Sequence, residues 1–254
     1  MPKISATVIT FNEERDIENC LASLKRIADE IVVVDSCSTD KTKEICLSHG
    51  VVFEQIKWRG YSETKNYANN LASNDLILSM DADEILSDQM VAELQKIKEN
   101  SEYDAYKFNR LTNYCGKWIK HCGWYPDTKL RLWDRRKGQW EGYIHEHVQM
   151  EEEVKVKHIK CDILHYSYHT IWQHIDQVNK FSEIGAENLF KKGKKASVFL
   201  IILKSVWKFI SDYFIKLGLL DGYYGFVISS ISAHATFVRY VKLKEMNKAR
   251  NKKE

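Results

Sequence analysis

Residues 1–100 alternate short apolar segments with segments of helical periodicity, and this alternation constrains the fold more than any other feature. The apolar segments cover residues 4–11, 31–34, 51–56 and 76–80 and are rich in β-branched side chains. Between them, apolar residues recur at helical spacing, as in residues 17–27. Repeated strand-helix-strand units predict an α/β fold, with a mostly parallel sheet and helices on both faces.

The pattern changes twice further along the chain. Residues 103–165 contain shorter strand-like segments rich in aromatic side chains, which predict a mixed-sheet extension. After residue 170 the periodicity is helical, with helices expected near 170–192, 196–217 and 221–243. We therefore predict one α/β domain over residues 1–168 and a C-terminal helical appendage over residues 169–254.

Charge is distributed unevenly along the chain. The formal net charge is +3, but residues 191–254 contain 14 Lys and Arg against 4 Asp and Glu, so that quarter is strongly basic. This asymmetry predicts an anionic partner, either an acidic lipid surface or nucleic acid. Nucleic acid is disfavoured because no nucleic-acid-binding motif accompanies the basic residues.

Residues 196–216 show the pattern of a helix that lies on a membrane. Lys204, Lys208, Asp212 and Lys216 recur at every fourth position, and apolar residues fill the other faces. The apolar run at residues 198–203 is too short to span a bilayer, which takes about 20 residues. We expect this helix to lie in the headgroup region of an anionic membrane. Packing on the α/β domain, or on a second copy of the chain as a homo-oligomer, is the alternative.

The N-terminus and the cysteines predict a cytoplasmic protein. Residues 1–15 lack the apolar core and cleavage site of a secretory signal. The six cysteines contain no CxxC pair and are expected to be thiols. A zinc site is a disfavoured alternative because its ligands would be irregularly spaced; they would be Cys115, His121, Cys122 and Cys161.

Two carboxylates follow the fourth predicted strand, in the sequence Asp81-Ala82-Asp83. Alternate residues of an extended backbone can direct two carboxylates to one hard cation, such as Mg²⁺ or Mn²⁺ chelated by a diphosphate. Ligands of parallel sheets bind beyond the carboxyl ends of the strands, so Thr10, Asn12 and Asp35 should be neighbours of this pair. The alternative is a solvated loop with capping aspartates.

Asp35 ends the second predicted strand and precedes a cluster of small polar residues at positions 36–40. Its carboxylate can accept a nucleobase N–H, while the hydroxyls and the following helix N-terminus face phosphate or ribose. For Ser38, Thr39 and Asp40, helix capping is an equal alternative. The chain has neither a Walker A loop nor a GxGxxG motif, so P-loop and dinucleotide binding are not supported.

Together these segments resemble the family 2 glycosyltransferases of GT-A fold. The resemblance rests on TVITFNE at 7–13, IVVVDS at 31–36, STD at 38–40, KN at 65–66 and DAD at 81–83. Three further segments are similar to small bacterial members related to lipopolysaccharide-core β-glucosyltransferases: LRLW at 130–133, GYIHE at 142–146 and LLDG at 219–222. The resemblance covers nearly the whole chain, most strongly residues 1–90.

The resemblance implies a role for each strand-end residue. Asp35 would contact the uracil ring, Asp83 would bind the metal, and Asp81 would lie near the ribose and the water shell of the metal. His165 is a second candidate metal ligand, although a structural role is the alternative. The other residues assigned to the nucleotide sugar are Thr10, Asn12, Glu13 and Lys65, the last at a position where many relatives have arginine.

Inverting transfer also needs a base and an acceptor site. A carboxylate must remove the proton of the acceptor hydroxyl, and the resemblance favours Glu146, with Asp127 and Glu141 as alternatives. On the acceptor side we place three residues: Trp124, Tyr125 and Arg131. The two aromatic side chains could equally belong to a core.

The implied function is metal-dependent, inverting transfer of one hexose, glucose from UDP-glucose, to a lipid-linked or lipopolysaccharide-core acceptor at the inner face of the cell membrane. Residues 1–100 would bind the nucleotide sugar and residues 101–168 would form the acceptor side. A sugar-phosphate nucleotidyltransferase is one alternative, but the chain has Asn-Glu-Glu at 12–14 where that class needs a glycine-rich loop. A non-catalytic, membrane-bound nucleotide-sensing module is the other. A processive synthase is disfavoured because the chain has no Gln-x-x-Arg-Trp motif.

Overall fold

The computed structural model describes residues 1–142 and 146–251, and the chain divides into two compact units. Unit 1 comprises Met1–Leu111 and Asp127–Tyr166, and unit 2 comprises Thr112–Pro126 and the chain from Ser167 onward. The chain passes from unit 1 to unit 2 after Tyr166, and the sequence pattern places the domain boundary at residue 168. The assignment of Thr112–Pro126 to the helical unit does not follow from the sequence pattern.

Unit 1 is built on four parallel strands. They are β1 (Ile4–Thr10), β2 (Glu30–Asp35), β3 (Val52–Gln55) and β4 (Leu76–Asp81), and they lie in the order β3-β2-β1-β4. Ile4, Ala6 and Val8 of β1 enter the largest core, whereas Thr7 faces the opposite side and donates a hydrogen bond from its hydroxyl to the Asn69 side chain (2.9 Å). This alternation buries both faces of the sheet.

Helices cover both faces of these strands. They are α1 (Ile17–Leu24), α2 (Thr42–Ser48), α3 (Tyr61–Leu71) and α4 (Asp88–Glu99). Helices α1, α2 and α4 contribute to the largest core, and α3 packs on the other face against β1 and β2. Helix α4 begins after Ser87, whose hydroxyl accepts a hydrogen bond from the Met90 backbone N–H (3.2 Å) and so caps the helix.

The strands that follow β4 either extend the sheet or form a second, two-stranded sheet. The strands are β5 (Glu84–Leu86), β6 (Ala105–Tyr114), β7 (Lys117–Ile119), β8 (Asp127–Asp134), β9 (Gly138–Glu141), β10 (His147–Met150) and β11 (Val156–Tyr168). The sheet continues in the order β4-β8-β6-β11-β5, β7 pairs with β6, and β9 and β10 form a separate two-stranded sheet. The predicted GT-A fold class, with a parallel sheet, a mixed extension and C-terminal helices, is confirmed.

Unit 2 packs helices around a small aromatic core. Its helices are α5 (Ile171–Lys191), α6 (Val198–Ile210) and α7 (Gly222–Asn251), and both α5 and α6 pack against α7. Thr170 and Gln173 form a capping box that begins α5. In the core, the Tyr114 hydroxyl lies 3.0 Å from His174 Nδ1, and burial lowers the pKa of His174 to about 4. His174 is therefore neutral at pH 7.

Helix α6 leaves much of its apolar surface exposed. We call this surface the α6 face; it comprises Val198, Phe199, Ile202, Leu203, Val206 and Trp207. A π-helical turn, Ser211–Ile215, continues α6 and contains the buried Asp212, which pairs with Lys208 (2.8 Å) and Lys216 (3.0 Å). Among residues 1–142 and 146–251, no helix combines the length and apolar character needed to cross a bilayer.

Candidate active site

The ends of three parallel strands lie side by side in unit 1. In the pairing of β1 with its neighbours, Thr10 is opposite Asp35 and Ile9 is opposite Asp81. This register brings the carboxylates of β2 and β4 to the same edge of the sheet, on either side of β1. The sequence predicts this neighbourhood because each of these residues lies at or near the carboxyl end of a predicted parallel strand.

A cavity of about 730 Å³, the strand-end cleft, opens at this edge. Its lining residues are Ile9, Thr10, Phe11, Glu13, Ser36, Trp58, Tyr61, Asp81, Ala82, Asp83 and His165. Thr10 and Ser36 are buried, and neither hydroxyl has a hydrogen-bond partner within the part of the chain that the structure describes. Because buried polar groups are normally satisfied, two unpaired hydroxyls in one cleft indicate a polar ligand.

Asp83 and His165 face each other in the strand-end cleft. The Asp83 carboxylate lies 3.0 Å from His165 Nε2, and the Asp83 carbonyl accepts a hydrogen bond from the Tyr166 backbone N–H (2.9 Å). Burial, together with the negative charges of Asp83, Asp16, Asp40 and Asp81, raises the pKa of Glu13 to about 8. Glu13 therefore keeps its proton to a higher pH than an exposed glutamate does.

Asp81 differs from Glu13 because two cations pair with it and lower its pKa. Its carboxylate accepts hydrogen bonds from Lys65 Nζ (2.8 Å) and Arg131 Nη2 (2.6 Å). Burial alone would raise the pKa of Asp81, but Arg131 and Lys65 outweigh it and hold that pKa well below its usual range. Lys65 is only 3% exposed, so its ammonium pairs with Asp81 in the interior of unit 1. Its predicted contact with the base or phosphate stays a prediction.

Asp35 and Asn12 are held by hydrogen bonds within the chain. The Asp35 carboxylate is fully buried (0% exposed) and accepts hydrogen bonds from the backbone N–H and hydroxyl of Ser38 and from the Gln55 amide (2.8 Å). The Asn12 side-chain oxygen accepts a hydrogen bond from the Thr39 backbone N–H (2.8 Å). These bonds leave little acceptor capacity on the buried Asp35 carboxylate, and its contact with a nucleobase stays a prediction.

A second cavity, of about 640 Å³, lies beside the first and is lined by β8, β10 and neighbouring residues; we call it the basic cavity. Its lining includes five cations, Lys65, Lys107, Arg110, Lys129 and Arg131, and two carboxylates, Asp81 and Glu146. Glu146 Oε1 lies 3.7 Å from Lys65 Nζ, so one ammonium lies between Asp81 and Glu146. Asp81 lines both cavities.

The alternative bases lie in different surroundings from Glu146. Arg110 makes two hydrogen bonds to Asp127 (2.7 and 2.9 Å); burial would raise the pKa of Asp127, but Arg110 and Lys129 lower it. A lowered pKa makes Asp127 a weaker proton acceptor. Glu141 is exposed on β9 and accepts a hydrogen bond from Gln139 (3.3 Å). His145, which precedes Glu146 in the chain, lies outside the described residues.

Trp124 and Tyr125 belong to unit 2. Trp124 packs on the rings of Tyr114, Tyr168 and His174 at centroid distances of 5.7–5.9 Å. These contacts match the core alternative for Trp124, whereas Arg131 lies in unit 1 and lines the basic cavity. The six cysteines are free thiols.

Sequence reasoning missed several residues of the site. Glu84 is fully buried (0% exposed) and accepts hydrogen bonds from Arg131 (2.5 Å) and the Asp81 backbone N–H (3.0 Å), so it fixes the Asp81 loop. Glu84 directly follows the DAD segment at residues 81–83, and this position is the sequence signal that could have indicated its place in the site. Trp58 and Tyr61 form an edge-to-face pair in the strand-end cleft, and the aromatic residues flanking Gly60 at the start of α3 were the available signal.

A third cavity, of about 500 Å³, involves the amino ends of the parallel strands. Its lining includes Lys3, Asp29, Glu30 and Ile31. It lies at the edge opposite the strand-end carboxylates, so it is not part of this site.

Comparison with known proteins identifies the family of this chain. A family model described as "Glycosyl transferase family 2" matches residues 5–153. The chain belongs to glycosyltransferase family 2. It is 34% identical over 264 residues to an uncharacterized glycosyltransferase of Rickettsia typhi, an alignment that covers 99% of this chain and 90% of the relative. It is 29% identical over 259 residues to the lipopolysaccharide core biosynthesis glycosyltransferase LpsC of Rhizobium meliloti, covering 96% and 93% of the two chains.

Solved structures resemble the chain more distantly. The S. aureus TarS fragment 1–349 aligns with 98% of this glycosyltransferase and 92% of its own length, at 14% identity and a TM-score of 0.45. A Mycobacterium tuberculosis glucosyl-3-phosphoglycerate synthase, crystallised with Mn²⁺, UDP and glucosyl-3-phosphoglycerate, aligns over 44% of each chain, at 22% identity and a TM-score of 0.37.

Proposed function

We propose that this glycosyltransferase transfers one hexose, with inversion, from a UDP-sugar to a lipid-linked acceptor of the lipopolysaccharide-core type, and that it needs a divalent cation. One observation carries the proposal: Glu13, Asp81, Asp83 and His165 line a single cleft at the carboxyl edge of a parallel sheet. The name of the Rhizobium meliloti relative supports the acceptor class. UDP-glucose as donor follows from the resemblance described above.

The donor set fits Mg²⁺ or Mn²⁺ that arrives with a diphosphate. Among residues 1–142 and 146–251 there is no ready-made group of three or more His, Cys, Asp or Glu ligands. Magnesium commonly keeps several waters and binds through one or two carboxylates plus substrate phosphates. Asp83 would supply the carboxylate and His165 a nitrogen, which lie 3.0 Å apart in the cleft, and the carboxyl groups of Glu13 and Asp81 line the same cleft. A bound cation would neutralise charge developing on the leaving diphosphate.

The remaining residues bind, orient and accept a proton. The unpaired hydroxyls of Thr10 and Ser36 would donate hydrogen bonds to the nucleotide. Glu146 is the proposed base, because it lines the cavity next to Asp81 and its carboxylate is oriented by Lys65 (3.7 Å). Lys65 also stacks on the Trp140 ring, 4.3 Å from its centroid, which fixes the ammonium.

We further propose that unit 2 binds the inner face of the cell membrane as a peripheral element. The α6 face exposes large apolar side chains, among them Phe199 (75% exposed) and Trp207 (57%). Exposed Lys191, Lys192 and Lys204 lie on the same part of the chain and would attract anionic lipid. A homo-oligomer through these helices is the alternative.

Vesicle flotation separates the two possibilities. Replacing Phe199 and Trp207 by serine should release the protein from vesicles containing anionic phosphatidylglycerol, with no change of oligomeric state. If the wild type is a dimer that the same replacement converts to a monomer, the oligomer alternative is correct.

A turnover assay tests the catalytic proposal. We expect the full chain to release UDP from UDP-glucose in the presence of lipopolysaccharide-core acceptor and Mg²⁺ or Mn²⁺, and EDTA to stop it. Asp83→Asn should lower kcat/KM by roughly a hundredfold or more, while Glu99→Gln, an exposed acid at the end of α4, serves as the matched control. Undiminished turnover by Asp83→Asn would contradict the proposal, and tighter binding of a guanosine or adenosine donor would contradict uridine preference.

The nucleotidyltransferase alternative makes a different product. With a sugar 1-phosphate and UTP, such an enzyme forms UDP-sugar and pyrophosphate, so pyrophosphate release in that assay would favour it. The nucleotide-sensing alternative predicts UDP-sugar binding without turnover under any of these conditions.

A further inference from the structure

The basic cavity has more cations than its internal ion pairs require. Of the five Lys and Arg residues in its lining, Arg110 and Lys129 share Asp127, Arg131 binds Asp81 and Glu84, and Lys65 binds Asp81. Lys107 has no ion-pair partner among the described residues. It is exposed on β6 within the cavity lining. The cavity therefore carries positive charge available to a ligand.

Two buried N–H groups of the same cavity also lack partners. Arg131 is 2% exposed, and its Nε has no hydrogen-bond acceptor in the described part of the chain although Nη2 binds two carboxylates. Trp140 is 6% exposed, and its Nε1 has none either. A buried donor without an acceptor is costly, so two of them in one cavity indicate a ligand that accepts hydrogen bonds. Together with the charge of Lys107, they favour an oxyanion.

The basic cavity also adjoins the proposed reaction centre. Asp81 separates it from the strand-end cleft, and Glu146, the proposed base, is part of its lining. A molecule bound here can therefore present a hydroxyl to Glu146 while another of its groups reaches Lys107. Those are the requirements of an acceptor site.

We propose that the basic cavity binds an oxyanion of the acceptor, a phosphate or a carboxylate, while the hydroxyl that receives the sugar faces Glu146. The inference rests on the proposed function, because it takes the strand-end cleft to hold the UDP-sugar. It adds that the acceptor is an anionic saccharide, and that charge is part of how the enzyme selects it.

Binding of three monosaccharide probes tests this inference in the full chain. The probes are glucose 6-phosphate, glucuronate and methyl glucoside, which present a phosphate, a carboxylate and no charge on similar rings. Saturating UDP and Mg²⁺ are added first, so that the strand-end cleft is occupied and an anionic probe must bind elsewhere. Dissociation constants come from calorimetry or ligand-observed NMR.

We expect at least one anionic probe to bind more tightly than methyl glucoside, and the tighter of the two identifies the oxyanion. Lys107→Gln should weaken that binding by roughly three- to tenfold, and Lys107→Arg should restore it. Lys129→Gln is a second variant of the same cavity, and Lys43→Gln, at an exposed position on α2, is the matched control that should bind like the wild type.

Two results would overturn the inference. One is that methyl glucoside binds as tightly as both anionic probes. The other is that the anionic preference survives in both Lys107→Gln and Lys129→Gln, because the oxyanion would then bind elsewhere. Failure of the proposed function is recognised separately, since the turnover assay would then show no release of UDP from UDP-glucose.

Discussion

Unit 1 and unit 2 differ in how far some of their large apolar side chains are buried. In unit 1, Trp133, Tyr106 and Phe108 are buried, and the polar groups of the site gather at the strand ends. In unit 2, Phe199 and Trp207 are largely exposed, while a carboxylate, Asp212, is buried between two lysines. Folding stability therefore accounts for the buried apolar residues of unit 1, whereas those of the α6 face need an external partner to explain them.

Two tryptophans give the sharpest test of this comparison. Trp133 is fully buried, packs edge-to-face on Trp140 (5.8 Å) and donates a hydrogen bond to the Gly138 carbonyl (3.0 Å). We expect Trp133→Ala to lower the free energy of unfolding by about 4 kcal/mol, because it leaves a large cavity. Trp207→Ala should change it by less than about 0.5 kcal/mol. Urea unfolding followed by circular dichroism measures both, and equal losses would break the comparison.

His174 tests the aromatic core of unit 2. Burial lowers its pKa to about 4 in the folded state, so the unfolded chain binds the proton more readily. The contribution of His174 to stability is complete above a pH of about 6.5 and is lost as the pH falls toward 4, by about 3 kcal/mol at most. His174→Gln keeps a hydrogen-bonding group for Tyr114 and should remove this part of the acid dependence. Identical acid profiles for variant and wild type would show that His174 is not buried as a neutral group.

Glu13 tests the burial of a carboxyl group in the strand-end cleft of unit 1. Its folded pKa of about 8 lies above the unfolded value, so its ionisation costs stability increasingly as the pH rises from about 4.5 to 8. Without divalent cations, Glu13→Gln should be more stable than the wild type by on the order of 2 kcal/mol near pH 8.5, and by much less near pH 5. Chemical denaturation at both pH values measures the difference. A difference that does not change with pH would rule out a raised pKa for Glu13.

Lys204 gives the smallest expected effect and concerns the surface of unit 2. It is exposed on α6, and one lysine near an anionic membrane contributes about 1 kcal/mol to binding. Lys204→Gln should therefore weaken partitioning onto anionic vesicles about fivefold, whereas Lys43→Gln in unit 1 should leave it unchanged. Sedimentation with lipid vesicles measures both, and a weakening that persists in high salt would contradict an electrostatic contribution.

The sequence predicts those features that depend on local signals. Strands β1 to β4, the cap at Ser87 and the gathering of Thr10, Asp35 and Asp81 follow from apolar runs, one hydroxyl and the rule for strand ends. The three C-terminal helices follow from periodicity in the same way.

Long-range pairing lies beyond those signals. The ion pairs of Asp81 with Lys65 and Arg131 join residues far apart in the chain, and their partners are fixed by how β4, α3 and β8 pack. For the same reason the sequence does not predict that Thr112–Pro126 belongs with the helices, or that Trp124 packs on Tyr114 and His174. Local periodicity contains no information on such contacts.

Asp81 lines both the strand-end cleft and the basic cavity, and this has a consequence for how the enzyme can diverge. If the two cavities hold donor and acceptor as proposed, a substitution at Asp81 should alter the apparent KM of both substrates at once. A related enzyme that changes its acceptor while keeping its donor should instead differ at side chains that line the basic cavity and not the strand-end cleft, such as Lys107 or Lys129. Among related enzymes, variation at those two positions should therefore follow the acceptor, and Asp81 should stay the same.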